Sequence, residues 1–336
     1  MLIVGVFTKN HEVFADNHSE YTLAFGSCAR QDKPQPIWNT IGDSDPKMFL
    51  FIGDNIYADT YDPDVMQNKY QRLASIPEFK AFRTKVPILA TWDDHDYGVN
   101  DAGSEYPLKV ESQKIFLDFW QGPDLAERYK RKGVYHSVSK EVMGLKIQVI
   151  MLDTRYHRSS LLKDGNGYKP NTDPDATILG AEQWDWLKKE FLKPADIRII
   201  ASSIQFLSNL HPYEKWNNFP LEREKMFELI ADTKANGVIF ISGDRHAGEI
   251  SIAHNPLIQY PIYDMTSSGL TNSTRPGTRR EANPFRLDGS LFHTQRNFGI
   301  VKLKEIQGEI FVDLILKDSK GNSLIEHSVN LQDLKF

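Results

Sequence analysis

The residues of this chain that could carry chemistry follow short apolar runs. Asp54 and Tyr57 follow one run, His95 follows a second, and Asp244 and His246 follow a third. Carboxylate, phenolate and imidazole groups are metal ligands, and carboxylates suit hard cations in particular. Several carboxylates buried together without a cation would cost several kcal/mol for each uncompensated charge. The pattern therefore predicts a centre that binds multivalent metal ions.

Cys28 is the single cysteine, and it also follows an apolar run. One thiol excludes an intramolecular disulfide framework and any all-thiolate zinc or iron–sulfur site. Three interpretations stay open for it: a small buried hydrophobe, a nucleophile or a metal ligand. A phosphatase that relies on a cysteine nucleophile alone is disfavoured, because the residues after Cys28 do not form a phosphate-cradling loop of the type Cys-x₅-Arg.

The elements that must position these groups are six near-continuous apolar runs, which are typical of strands buried on both faces. They lie at 21–27, 48–52, 87–92, 146–152, 197–203 and 238–242. Each run is followed within two residues by a carboxylate, thiol or amide side chain, and imidazole and guanidinium groups come shortly after several of them. Sites in α/β sheets are built at the carboxyl ends of strands, so we expect these ends to converge on one crevice.

Helical periodicity lies between several of these runs, at 107–120, 180–192 and 221–236, where Asn236-Gly237 is typical of a helix C-terminus. The C-terminal quarter instead alternates apolar and polar residues over 298–304 and 309–317, which predicts an antiparallel meander. Residues 164–177 are rich in turn formers and predict a long surface loop. The whole pattern indicates two face-to-face sheets with helices outside.

Composition excludes several classes of protein. The chain has 336 residues and a formal charge of −5, from 40 basic and 45 acidic residues, so the basic surface expected for duplex DNA or RNA binding is absent. No apolar run approaches the roughly 18 residues that span a bilayer. The first seven residues are apolar but lack a basic segment, so they do not define a signal peptide.

Three segments together resemble the PhoD-like (alkaline phosphatase D) branch of the metallophosphoesterases: 53–59 (GDNIYAD), 92–96 (WDDHD) and 242–246 (SGDRH). Further segments similar to the family include 25–28 (FGSC), 152–155 (LDTR) and 266–269 (TSSG), and the matches run in family order from about 21 to 301. The resemblance implies an α/β fold of the metallophosphoesterase type, a four-layer αββα sandwich with two mixed β-sheets. It implies one domain over 1–336, with 1–20 as an N-terminal extension or leader remnant.

The resemblance also implies a dinuclear centre. One metal would be held by Cys28, Asp54, Tyr57 and His246, and the other by Asp54 as a bridge, Asp94, Asp244 and Gln205. Asp93 replaces or supplements Asp94 in an alternative assignment, because adjacent carboxylates cannot be ranked from sequence. The family pairs Fe(III) with Ca²⁺, and Mn²⁺, Mg²⁺ and Zn²⁺ are alternatives.

The mechanism that the resemblance implies is attack on phosphorus by a metal-bound hydroxide. His95 would protonate the leaving group or stabilise the transition state. Arg155 and Arg245 would contribute to catalysis by clamping the phosphate, because guanidinium pairs bidentately with phosphate oxygens. Asn55 is a further candidate for substrate binding. For the arginines, a structural ion pair with a nearby carboxylate is the alternative.

The expected function is metal-dependent hydrolysis of phosphate monoesters, diesters or both, acting on phosphorylated small molecules or phosphodiesters. The alternatives are a phospholipase or wall-polymer phosphodiesterase, whose entrance loops would decide the substrate, and a catalytically silent homologue that binds metal or phosphate. We expect a monomer with no transmembrane segment. Export to the periplasm, the cell surface or the medium is implied by the resemblance alone.

Overall fold

The computed structural model of the chain describes residues 20–278 and 280–336, which form fourteen strands and eight α-helices. The strands are β1 (Glu20–Gly26), β2 (Met48–Ile52), β3 (Ile88–Thr91), β4 (His136–Val142), β5 (Leu145–Met151), β6 (Leu162–Asp164), β7 (Gly167–Lys169), β8 (Ile197–Ala201), β9 (Val238–Ser242), β10 (Gly248–Ala253), β11 (Ile262–Ser267), β12 (Asn297–Ile306), β13 (Glu309–Asp318) and β14 (Ser323–Asn330). The helices are α1 (Ile37–Asp43), α2 (Pro63–Ser75), α3 (Pro77–Arg83), α4 (Asp94–Tyr97), α5 (Lys109–Trp120), α6 (Leu125–Arg128), α7 (Gly180–Phe191) and α8 (Pro220–Thr233). The expected extension at 1–20 lies outside the described residues except for Glu20.

Two six-stranded mixed sheets carry the fold. The first has the order β14-β13-β12-β1-β2-β3, with β1, β2 and β3 parallel and the C-terminal strands antiparallel. The second has the order β10-β11-β9-β8-β5-β4, with a parallel centre of β11, β9, β8 and β5 between two antiparallel edge strands. The meander predicted at the C-terminus is therefore present, and it pairs with β1 from the opposite end of the chain.

The layers follow from which face of each strand is apolar. Leu23, Phe25 and Leu50 of the first sheet join Val149 and Ile199 of the second in one buried cluster, so the two sheets pack face to face. Alternate residues of the first sheet point the other way, because side chains alternate along a strand, and they form a second cluster with helices α1, α2, α3 and α5. Helices α7 and α8 cover the outer face of the second sheet. The predicted α/β sandwich with outer helices is confirmed.

All six apolar runs are strands, and two of them, β2 and β9, have the predicted bounds. Two local predictions differ from the structure. Helix α8 ends at Thr233, because Lys234 takes the left-handed conformation (φ 46°) that closes the helix before Asn236-Gly237. The predicted loop at 164–177 overlaps the β6–β7 hairpin, in which Asp164 pairs with Gly167.

Candidate metal centre

The carboxyl ends of the parallel strands in both sheets meet at one place. Ser203, after β8, donates from Oγ to Asp93 Oδ1 (2.7 Å), after β3. Thr91 Oγ1 on β3 donates to the carbonyl of Leu152 after β5 (2.6 Å), and the backbone N–H of Ala29 donates to the Asp54 carbonyl (2.9 Å). The first two contacts join strand ends of different sheets, and the third joins the loops after β1 and β2 of the first sheet. The convergence predicted from the polar strand ends is therefore present.

The first group of donor atoms combines Cys28, Asp54, Tyr57 and His246. Cys28 Sγ lies 3.3 Å from Asp54 Oδ2, and Tyr57 Oη lies 3.2 Å from the same oxygen. His246 Nε2 is 3.1 Å from Tyr57 Oη. Ligand atoms of Cys28, Asp54 and His246 all lie within 4.8 Å of one another, a separation that one metal ion can bridge. Sulfur, carboxylate, phenol and imidazole thus face a single point.

A second group of donor atoms shares one member with the first. Asp54, Asp94 and His95 each offer an atom within 4.8 Å of the others, so Asp54 belongs to both groups. Both oxygens of Asp94 also accept backbone N–H groups, from His95 (2.8 Å) and Asp101 (2.7 Å). A carboxylate placed between two donor groups is the arrangement of a bridging ligand in a two-metal site.

The backbone at the candidate ligands is in the left-handed region. Cys28, Asp54, Asp244 and His246 have φ values of 62°, 50°, 65° and 51°. Non-glycine residues rarely adopt this region, and such residues cluster at functional sites. Gly53 (φ 99°) is needed next to Asp54, because a Cβ there would lie 2.5 Å from the Cβ of Asp93. Sharp turns at the strand ends therefore aim the side chains inward.

The buried charge of this region fits a cation. Asp54 Oδ1 is buried without a hydrogen-bond partner among the described residues. Burial raises the pKa of Asp54 in spite of the charge of His95, and the carboxylates of Asp94 and Asp93 raise it further. Burial together with Asp54 raises the pKa of Cys28. Burial and the charge of His95 lower the pKa of His246 to about 4, so its imidazole is neutral and able to coordinate. The donor set suits a metal ion.

His95 is held in place from two sides. Its Nδ1 lies 2.7 Å from Asp59 Oδ1, and its ring stacks on Tyr57 with a centroid distance of 4.2 Å. Burial opposes protonation of His95, but the carboxylates of Asp54, Asp94 and Asp59 raise its pKa to about 11. Asp59 was not singled out from the sequence, although it closes the same 53–59 motif as Asp54.

Asp96 organises both carboxylate loops, and sequence reasoning gave it no role. Its carboxylate accepts the backbone N–H of Asp54 (3.1 Å) and of Asp93 (2.7 Å), and the Asn55 amide (2.5 Å). Asp93 and Asp96 form the capping box of α4. The spacing of an N-cap residue and an acidic residue three positions later is a sequence signal that identifies this arrangement.

Asp93 and Arg155 form part of a buried ion network. Arg155 is fully buried and donates from Nε to Asp93 Oδ1 (2.6 Å) and from Nη1 to Glu214 Oε2 (2.5 Å). Glu214 also pairs with Arg158 Nε (2.8 Å). Arg155 therefore forms the structural ion pair that was the alternative to a phosphate clamp. Asp93 is its partner, whereas Asp94 lies in the second group of donor atoms.

The other predicted site residues are close to the centre but already have partners. Asn55 is buried and donates to the Thr91 carbonyl (2.8 Å) as well as to Asp96, so its amide nitrogen is not directed at a substrate. Gln205 donates to Glu249 (2.6 Å) and Thr266 (2.8 Å), which fixes the orientation of its amide.

The structure does not place Asp244 or Arg245 in either donor group of described residues. Asp244 has a raised pKa, because burial outweighs the attraction of Arg245 and the carboxylates of Asp93 and Asp94 are near. Arg245 pairs with Glu281 (2.7 Å).

Asn272 reaches the centre from a distant part of the chain. Its Nδ2 donates to Tyr57 Oη (2.6 Å) and lies 3.1 Å from His246 Nε2. In the sequence, Asn272 begins an Asn-x-Ser/Thr triplet at 272–274, a short pattern that does not indicate a place in the centre. No local signal identifies its position, because it is separated from Tyr57 by 215 residues.

Residues 121–272 match the family model of PhoD-like phosphatases, which confirms the resemblance found in the sequence. This segment contains Gln205, Asp244, His246 and Asn272, whereas Cys28, Asp54 and Asp94 precede it. Alkaline phosphatase D of Bacillus subtilis (strain 168) is 25% identical over 222 residues, covering 56% of this chain and 36% of that protein. The chain thus matches about a third of the length of this curated relative.

Solved structures share the fold. A structure of PhoD superposes with a TM-score of 0.70 at 19% identity, covering 94% of this chain and 69% of that chain. The Plasmodium protein GAP50, described as the anchor in the inner membrane complex, gives 0.57 at 15% identity over 93% and 89%. A dimetal phosphatase from Danio rerio gives 0.52 at 11% identity over 93% and 99%. Over the residues that the structure describes, no helix has the length and apolarity to cross a membrane.

Proposed function

We propose that this chain is a metal-dependent phosphoesterase that hydrolyses phosphate monoesters, diesters or both at a dinuclear centre. The observation that carries the proposal is the position of Asp54, whose carboxylate belongs to both groups of donor atoms. A shared carboxylate is the feature that holds two metals about 3.5–4 Å apart in two-metal hydrolases. The match of 121–272 to the PhoD-like phosphatases supports the same reaction class.

The ligand assignment takes the carboxylates of the two donor groups, keeps His95 as a proton donor, and adds Asp244 and Gln205 from the family resemblance. Cys28, Asp54, Tyr57 and His246 hold one metal. Asp54 and Asp94 hold the other, with Asp244 and Gln205 completing its ligands. We assign Asp94 rather than Asp93 to the metal, because Asp93 Oδ1 is paired with Arg155 and Ser203. The assignment leaves Asp93 with a positioning role in the loop that carries Asp94.

The metal identities we propose are Fe(III) for the first group and Ca²⁺ for the second. Tyrosinate, thiolate and carboxylate together are anionic donors that match a trivalent iron, and tyrosinate is an established iron ligand in proteins. Carboxylate and amide oxygens are the donors that calcium prefers. The anionic donors of the first group therefore match Fe(III), and the oxygen donors of the second group match Ca²⁺.

Bound metals would polarise the phosphoryl oxygens and lower the pKa of a water molecule. The protein contributes the remaining parts. Asp59 fixes the His95 ring through Nδ1, and His95 holds a proton beside Asp54 and Asp94 for transfer to the leaving oxygen. Asn272 orients the Tyr57 hydroxyl through its 2.6 Å hydrogen bond, and Asp96 holds the loops of Asp54 and Asp93 together.

The test compares wild type with Asp54→Asn on 4-nitrophenyl phosphate and bis(4-nitrophenyl) phosphate, with metals measured by elemental analysis. We expect turnover to fall by at least about a thousandfold, because both donor groups lose their shared charge. Asp62→Asn, at the N-cap of α2 on the surface, is the matched control. Retained turnover in folded Asp54→Asn would refute the proposal. A wild type that binds two metals but hydrolyses neither ester would favour the silent homologue. Export stays a proposal that rests on the resemblance alone.

A further inference from the structure

A group of cationic side chains lies beside the candidate metal centre. The Arg245 guanidinium, in the loop after β9, lies over the ring of Tyr213 with Cζ 4.4 Å from the centroid. Lys215 Nζ donates to the Tyr213 carbonyl (2.9 Å), and Arg280 Nη2 donates to the Arg245 carbonyl (3.1 Å). Tyr213 therefore links Arg245 to Lys215, and Arg280 joins them through the backbone of Arg245 in the loop that carries Asp244 and His246.

Among the described residues, one carboxylate, that of Glu281, forms ion pairs with this group. Glu281 is shared by two arginines, at 2.7 Å from Arg245 and 3.7 Å from Arg280. Lys215 is only 4% exposed, yet within the described parts of the chain no carboxylate lies within ion-pair distance of its ammonium. Charges that are removed from water are normally paired, so a buried ammonium without an ion-pair partner indicates a place for an anion.

His211, whose ring centroid lies 6.3 Å from that of Tyr213, and two arginines of this group have polar atoms without hydrogen-bond partners among the described residues. His211 is 1% exposed, and neither ring nitrogen has a hydrogen-bond partner in the described residues. Arg245 Nε and Arg280 Nε are likewise buried without an acceptor there. Buried polar groups are hydrogen-bonded in the large majority of cases, and each exception needs an explanation. A ligand with several acceptor oxygens would satisfy these donors together.

We propose that Lys215, Arg245 and His211 form an anion subsite that binds a second phosphate group of the substrate, distinct from the ester that is hydrolysed. Guanidinium and ammonium groups form charge-assisted hydrogen bonds with phosphate oxygens. A neutral imidazole donates one N–H, and burial with the charges of Arg245, Lys215 and Arg280 lowers the pKa of His211, which keeps its ring neutral. The subsite rests on the proposed function, and it selects phosphate esters that carry a further phosphate.

The kinetic test uses two 4-nitrophenyl alkyl phosphodiesters that differ only at the far end of a three-carbon chain, which carries a phosphate or a hydroxyl. Wild type is expected to show a KM about tenfold lower for the phosphate-bearing ester, with similar kcat, because one charge-assisted contact is worth that factor. In Lys215→Met the preference disappears through KM, and in Lys215→Arg it is retained. Lys189→Met removes an exposed lysine of α7 and serves as the control of equal charge.

Calorimetry separates failure of the subsite from failure of the proposed function, because it does not require turnover. Propane-1,3-diyl bisphosphate is expected to bind wild type about tenfold more tightly than propyl phosphate does. In Lys215→Met the two probes are expected to bind with equal affinity. Equal binding of both probes to wild type would overturn the subsite, as would a preference that survives in Lys215→Met with native thermal unfolding. A binding preference that is lost in Lys215→Met but kept in Lys189→Met would support the subsite. If the wild type then hydrolyses neither ester, only the proposed activity is refuted.

Discussion

Substitution of Glu214 by Gln tests whether the buried ion network holds the loops of the centre. Glu214 is 2% exposed and contacts Arg155 (2.5 Å) and Arg158 (2.8 Å), both of which are fully buried. Burial raises the pKa of Glu214 in spite of both arginines, so the ion pairs by themselves are not a large source of stability. The cost of the substitution comes instead from two buried guanidinium groups that lose a shared carboxylate, while Arg155 keeps its ion pair with Asp93.

The magnitude follows from that arrangement. Removal of one partner from a buried pair costs about 3–5 kcal/mol, because the remaining charge is uncompensated. An unfolding entropy of about 2.1 cal/mol/K per residue gives about 0.7 kcal/mol/K for 336 residues, so we expect the melting temperature to fall by about 4–7 °C. Turnover should also fall, because Arg155 orients Asp93, which lies next to Asp94 in the chain.

Differential scanning calorimetry of wild type and Glu214→Gln measures the shift directly. Glu127→Gln is the matched control, because Glu127 forms a surface pair with Lys130 (2.8 Å) in which both side chains are more than half exposed. Its melting temperature should stay within about 1 °C of wild type, since exposed ion pairs contribute little. If Glu214→Gln melts no lower than Glu127→Gln, the network does not stabilise the fold and the reasoning is refuted.

Three further predictions concern the centre and its surroundings. Cys28→Ser should lower the iron content of the purified protein severalfold while the melting temperature changes little; unchanged iron by elemental analysis would mean that Cys28 only packs in the core. Asp96→Asn replaces the acceptor of the Asp54 and Asp93 backbone N–H groups, so both metal content and melting temperature should fall, and native values of both would contradict its role. Burial and Arg245 lower the pKa of Lys215 to about 8, against about 10.4 in the unfolded chain, so the unfolded state binds more protons between these pH values. The melting temperature of wild type relative to Lys215→Met should therefore rise between pH 8 and 10, and parallel curves for the two proteins would count against this shift.

Much of the fold could be predicted because it depends on local patterns. The run 48–52 is apolar at every position and 238–242 at all but Ser242, which is typical of strands covered on both faces, and both form strands with those bounds. The helix end at Thr233 and the β6–β7 hairpin were not predicted. In both places the chain closes a turn through a left-handed residue, Lys234 in one and Gly165 in the other. A glycine favours this conformation, whereas the residue type of Lys234 does not indicate it.

The sequence by itself determined which chemical groups stand at the ends of the buried strands, because the apolar runs and the residues after them are contiguous in the chain. Only the tertiary structure decided which groups meet. Asn272 contacts Tyr57 across 215 residues, and Arg155 forms ion pairs with Asp93 and Glu214 across 62 and 59 residues. A guanidinium in a strand-end loop is suited equally to a phosphate and to a carboxylate, so its residue type does not choose between them. The packing of two sheets sets which partner is within reach, and that distance decides the role of the side chain.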